Sequence, residues 1–174
     1  MNASNAQKSP FSTRSIVRAG LIAAMYVALT LIFQPISFGA IQFRIAEALT
    51  LLPILTVDAV PGLFIGCLIA NLLGGGVWFD VVLGSIATLL AALCTRKTRK
   101  QPFLAALWPT VFNGLIVGPV VYFAYVRAPG DPVSIGTLLF TMGTVALGEI
   151  VVCYVLGIPM IYGLKKLPAN LFEE

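Results

Sequence analysis

From residue 15 to residue 166 the chain is a succession of apolar runs, and nearly all of its charged residues fall in the breaks between them. A helix that crosses a bilayer needs about 20 mostly apolar residues, whereas a soluble core helix needs only one apolar stripe. Here the runs are apolar on every face. With 59% hydrophobic residues and a mean hydropathy of +0.96, a soluble globule would have too little polar surface to cover itself. The sequence therefore predicts an all-α integral membrane protein.

Punctuation divides the runs into six expected transmembrane helices. The first covers 15–34 and is closed by Pro35; it reads as a retained helix, because no small-residue cleavage site follows it. A connection at 35–41 contains Gly39. The second helix, 42–57, is expected to kink at Pro53. Asp58 marks a turn, and Pro61 opens the third helix, 61–73. Gly74, Gly75 and Gly76 break the chain before Trp78 and Phe79, and Asp80 is placed to cap the fourth helix, 80–94. The fifth, 102–125, contains Pro109 and Pro119; the sixth, 134–164, ends at Lys165 and Lys166. Residues 1–14 form a flexible polar N-terminus, 15–166 the membrane domain and 167–174 a short tail. No internal repeat is evident.

Alternating these helices across the bilayer puts Lys8, Arg14, Arg18, Arg96, Lys97, Arg99, Lys100, Lys165 and Lys166 on one side, leaving only Arg44 and Arg127 on the other. Basic residues accumulate on the cytoplasmic side, so both termini are expected there. The positive charge is thus a topology signal rather than a nucleic-acid footprint. The chain has no histidine, and its three cysteines, Cys67, Cys94 and Cys153, have neither disulfide nor metal-ligand spacing. It also lacks a phosphate-binding G-x-x-x-x-G-K-[ST] loop, so it cannot use ATP by itself. No cofactor or metal is expected.

A charged group at membrane depth is costly and marks a functional candidate. Arg44 and Glu47, three residues apart, share one helix face, either neutralising each other or lining an outward-facing cavity with Gln42 above them. Glu149 lies mid-helix with no basic residue within a turn. It must be protonated, paired across helices or turned to a wet cavity. Asn71 and Asn113 are amides at depth, able to bridge helices or meet a ligand. Trp78 and Tyr122 are interfacial anchors or flat walls for an aromatic guest. Helix one carries two stripes of small residues, Ala19 with Ala23 and Gly20 with Ala24 and Ala28. Such stripes let helices approach closely, within one protein or between subunits. Helix three has another: Gly62, Gly66 and Ala70.

The segment Gly39-Ala40-Ile41-Gln42-Phe43-Arg44-Ile45-Ala46-Glu47-Ala48-Leu49-Thr50-Leu51-Leu52-Pro53 resembles the signature of the QueT family. So does Pro61-Gly62-Leu63-Phe64-Ile65-Gly66-Cys67-Leu68-Ile69-Ala70-Asn71, and the surroundings of Pro109, Asn113, Gly148 and Glu149 fit the same pattern. The resemblance implies a six-helix bundle like the substrate-binding (S) subunits of energy-coupling factor transporters, in a bacterial plasma membrane. It implies a coupling transmembrane protein and two ATPase subunits as partners, with ATP hydrolysed by the latter. The implied cargo is a queuosine precursor, queuine or a pre-queuosine 7-deazaguanine base. The small-residue stripes of helix one are then candidates for docking the coupling protein. Glu149 is the leading candidate for the guanine-like edge of the base, Asn113 or Asn71 for its carbonyl, Trp78 or Tyr122 for stacking, and Glu47 for a cationic arm. Gly39 and the Gly74 to Gly76 run are candidate hinges. Alternatives are the same transporter class with another micronutrient such as a vitamin, a membrane enzyme using Glu47 and Glu149 as acid and base, or a passive assembly subunit.

Overall fold

The computed structural model describes residues 12–37, 43–168 and 171–172. Those residues contain helices and connections and no strand. We number the main helical segments α1 (Thr13–Ile32), α2 (Ile45–Ile54), α3 (Ala59–Leu73), α4 (Trp78–Lys97), α5 (Pro102–Val126) and α6 (Ile135–Leu164). A single turn, Gln34–Ser37, follows α1. Gln42 and Gly39 lie outside the described residues.

Four of these helices, α1, α4, α5 and α6, are long and apolar enough to cross a membrane. The other two fall short of that length: α2 is shorter than the expected 42–57, while α3 begins two residues before the expected 61–73. α2 has 10 residues and is wound as a 310 helix, and α3 has 15. At about 2.0 and 1.5 Å per residue, each reaches only some 20 Å. In α2 the reason is burial: every residue from Ala46 to Ile54 is enclosed by neighbouring helices. It is a strut through the bundle rather than a lipid-facing span. Pro53 lies inside it and does not end it.

Small residues set the close approaches. A Cβ on Gly62 would lie 2.7 Å from the Ala19 carbonyl oxygen, and one on Gly66 would lie 2.9 Å from Tyr26 Cβ and 3.0 Å from Ala23 Cα. The order of these contacts makes α1 and α3 parallel, and it spends the Ala19/Ala23 stripe on internal packing. The Gly20/Ala24/Ala28 stripe faces outward, and nothing lies within 4 Å of a Cβ on Gly20. On the other side of the bundle Gly114 and Gly118 of α5 sit against Ala146 and Met142 of α6. The Gly74 to Gly76 break is a true turn, with Gly75 in the left-handed region at φ +79°.

One end of the bundle gathers the start of α1, the α2–α3 turn and the end of α4. Arg18 Nε lies 2.9 Å from Asp58 Oδ2, Ser15 donates to the same carboxylate, and Arg96 Nη1 donates to the Pro53 carbonyl at 3.1 Å. At the opposite end Gln34 Nε2 donates to the Gly74 carbonyl at 3.1 Å.

α5 and α6 widen into π-helical turns at Asn113–Val117, Tyr122–Val126 and Val152–Gly157, close to Pro109, Pro119 and Pro159. A proline lacks the N–H that would serve the carbonyl four residues earlier, and in hydrocarbon that carbonyl needs another donor. For Pro109 the freed group is Ala105 O, and Thr95 Oγ1 of α4 donates to it at 3.2 Å. Thr95→Val keeps the shape and removes the donor. It is expected to cost about 1–2 kcal/mol, read as a lower Tm of the detergent-solubilised protein.

Candidate functional site

In a 310 helix, residues three apart eclipse one another. Arg44, at the start of α2, and Glu47 therefore both turn inward, and they are 6% and 1% exposed. Arg44 Nη2 lies 3.6 Å from Asp80 Oδ2, and its Nη1 lies 3.8 Å from Cys67 Sγ. Asp80 was expected to cap α4, but Val77 holds the cap position and Asp80, fully buried, turns into the bundle. The helix start supplies the reason: with Val77 at the cap, Asp80 is already three residues into α4, past the position from which a side chain accepts from the first amides.

Glu47 accepts a short hydrogen bond from the Tyr26 hydroxyl of α1. Asn113, at the head of the first π turn of α5, lies beside Glu47. Its Nδ2 donates to Glu149 Oε1 of α6 at 2.8 Å. Glu149, read from the sequence as a carboxylate without a local partner, is thus paired across helices. One turn along α6, Cys153 Sγ lies 3.9 Å from Glu149 Oε2 and 3.8 Å from the Glu47 carbonyl oxygen. Asn71 Nδ2 of α3 donates to the Asp80 carbonyl at 3.1 Å, and Thr88 Oγ1 of α4 lies 3.3 Å from Cys67 Sγ. The two halves are one cluster, since Tyr26 stands near Cys67, Arg44 and Glu47, and Glu149 feels the charges of Glu47 and Arg44.

The structure therefore brings together Arg44, Glu47, Asn71, Asn113 and Glu149 from four separate helices. Two aromatic candidates are elsewhere. Trp78 is 66% exposed and stacks on Phe79 with ring centroids 3.7 Å apart. It faces an apolar groove of about 700 Å³ shared with Leu115, Pro119 and Phe123, outside the polar cluster. Tyr122 is buried, but its hydroxyl accepts from the Ser134 backbone N–H at 2.9 Å, which fastens the connection between α5 and α6. The aromatic ring in the cluster is Tyr26. Sequence reasoning missed it along with Asp80, Cys67, Thr88 and Cys153. One signal was available: Tyr26 continues the Ala19/Ala23 face by three residues and adds a hydroxyl to it. Among the described residues no group of three His, Cys, Asp or Glu is placed to hold a metal ion.

A buried polar network thus draws a side chain from every helix of an apolar bundle. Comparison with known proteins gives the class. The QueT transporter family matches residues 16–166, from α1 to the end of α6. The queuosine precursor transporter QueT of Lactococcus lactis subsp. cremoris (strain MG1363) is 31% identical over 147 residues, which is 79% of this chain and 84% of that protein. No solved structure matches. The family and this relative are transporters, not enzymes, so Glu47 and Glu149 are not a catalytic acid–base pair. On a match that takes in all six helical segments and every member of the buried cluster, the chain belongs to the QueT transporter family.

Proposed function

We propose that this chain is the substrate-binding membrane subunit of an energy-coupling factor importer, and that its cargo is a queuosine precursor of the 7-deazaguanine type. The observation that carries the reading is the Asn113–Glu149 pair, set beside Glu47 inside the bundle. The family match, and a Lactococcus relative that is a queuosine precursor transporter, support the cargo class. A deazaguanine presents two adjacent donors, a ring N–H and an exocyclic amine, which match the two oxygens of one carboxylate. In this reading Glu149 exchanges its bond to Asn113 for that edge, and the freed Asn113 amide donates to the base carbonyl. Proteins read extruded bases by the same combination of edge hydrogen bonds and stacking. In this scheme Tyr26 takes the stacking role for which Trp78 or Tyr122 was the candidate.

Six crossings with both termini cytoplasmic fit the basic residues at the end where α1 begins. The chain's lack of an ATP-binding loop calls for partner ATPases and a coupling membrane protein in a bacterial plasma membrane. Gly20, Ala24 and Ala28, left open on α1, are the stripe we assign to that coupling protein.

Glu149→Gln halves the acceptor capacity facing the base. A hydrogen bond to a charged group contributes about 1.5–3 kcal/mol, so queuine affinity is expected to fall about tenfold to a hundredfold. Titration calorimetry on the purified chain checks this, and unchanged affinity would remove Glu149 from the site. Saturable binding of a vitamin, with none of queuine, would overturn the cargo.

A further inference from the structure

Four basic residues, Arg96, Lys97, Arg99 and Lys100, stand close together where α4 ends and α5 begins. With Thr98 and Leu104 they line a pocket of about 480 Å³. Topology asks for basic residues at such an end and for nothing more. Here they are also held in one shape. Thr98 Oγ1 donates to the Cys94 carbonyl at 2.8 Å and accepts from Trp108 Nε1 of α5 at 3.1 Å. The Gln101 N–H donates to the Thr98 carbonyl at 2.9 Å. The turn is thus fastened to both helices. Its charge is not balanced by acids. The sequence has no acidic residue between Asp80 and Asp131. Among the described residues no carboxylate pairs with Lys97, Arg99 or Lys100, and Asp58, at the same end of the bundle, is engaged by Arg18 and Ser15. Arg96 donates to the Pro53 carbonyl. The pocket also has an apolar side: Leu104 lines it, and Leu93, Phe103 and Leu107, on the adjoining turns of α4 and α5, are exposed.

We infer that this pocket seats the phosphate of an anionic phospholipid, with Lys97, Arg99 and Lys100 around the headgroup and an acyl chain lying along Leu104 and Leu107. Cations alone would suit any anion; the exposed apolar side chains beside them select a lipid. Lys and Arg clusters at a membrane edge attract anionic lipid, and basic pockets between membrane helices hold its headgroup. None of the lining residues belongs to the buried cluster, so the site stands whatever the cargo.

Trp108 reports on the pocket, because its indole is bonded to Thr98. The chain has two tryptophans, and Trp78 is at the far end of α4, so Trp78→Phe leaves Trp108 as the only emitter. This full-length protein is reconstituted in phosphatidylcholine vesicles that carry phosphatidylglycerol or phosphatidylcholine brominated near the carbonyl end of its acyl chains. Bromine quenches an indole on contact. Phosphatidylglycerol is expected to occupy the site about tenfold more tightly than phosphatidylcholine, since each nearby Lys or Arg adds roughly fivefold and salt screens part of it. Lys97→Gln with Lys100→Gln is expected to cut that preference to about twofold. Lys165→Gln with Lys166→Gln removes the same charge from the same end, where α6 closes, and should leave the preference in place. Equal quenching by the two lipids would overturn the site. An equal fall in both double variants would overturn it as well, by assigning the preference to the field of that whole end. Relief of quenching by millimolar inorganic phosphate at constant ionic strength would make the pocket a free-phosphate site and remove the lipid. All four lysines are exposed, and the comparison of the two lipids decides even without the double variants.

Discussion

Arg44→Ala is expected to lower the Tm of the detergent-solubilised protein by about 6–20 °C. The range follows from the cost of breaking a buried ion pair, about 3–5 kcal/mol, at about 2–4 °C per kcal/mol for a chain of this size. The cost is high because Asp80 and Glu47 would remain buried at 0% and 1% exposure, and the nearest compensating charge would be gone. Arg44→Lys is expected to recover little of it. The guanidinium reaches Asp80 Oδ2 with one nitrogen and Cys67 Sγ with another, a fork that a single ammonium does not reproduce. The double substitution Arg44→Met with Asp80→Leu removes both charges of the pair. It should regain much of the lost stability, since apolar replacements of a whole buried pair are often neutral or better. If the double variant is no more stable than Arg44→Ala, the Arg44–Asp80 contact is not what the arginine supports. A change of only a degree or two in Arg44→Ala would mean that the charge is not buried as described.

Five of the six helices were readable from sequence, α3 among them with its start only two residues early, and α2, which faces protein on all sides, was not. The expected helices at 15–34, 80–94, 102–125 and 134–164 correspond to α1, α4, α5 and α6 with ends shifted by no more than three residues. A bilayer imposes length and apolarity, and both are visible along the chain. The α2 segment is as apolar as a span, but its neighbours replace lipid on all sides, so neither its 310 winding nor its shortness left a mark in its composition. The site divides in the same way. Charge at depth is expensive and therefore conspicuous, which is why Arg44, Glu47 and Glu149 stood out. Their partners depend on helix rotation and register. Glu149 looked solitary because Asn113 is 36 residues away in sequence. Asp80 looked like a cap because the fourth helix begins beside it. Tyr26, Cys67 and Cys153 are residue types common in any apolar helix, and only their convergence gives them meaning.

Helix rotation also separates the two small-residue stripes of α1. They differ by one position, about 100° around the helix, and the sequence could not rank them. The glycines of α3 do so, because Gly62 and Gly66 seat against Ala19 and Ala23 and leave Gly20, Ala24 and Ala28 outside. Gly66→Leu is expected to be severe. Its Cβ alone would lie 2.9 Å from Tyr26 Cβ and 3.0 Å from both Ala23 Cα and the Ala23 carbonyl oxygen. Backbone atoms cannot swing aside, so α1 must move away from α3. Overpacking a close seam costs about 1–3 kcal/mol or more. The displacement also carries Tyr26 away from the Glu47 carboxylate that it holds. Gly66→Leu should therefore lower Tm and abolish ligand binding together. Gly20→Leu meets nothing within 4 Å and should leave both within error, a surface change being worth about 0.5 kcal/mol or less. On the docking role proposed for this stripe, its expected effect is confined to assembly: the chain should no longer co-purify with the proposed coupling protein. Ligand binding that survives Gly66→Leu would detach the Tyr26–Glu47 contact from the site. Ligand binding lost in Gly20→Leu would mean that the outer stripe of α1 supports the fold instead of a partner.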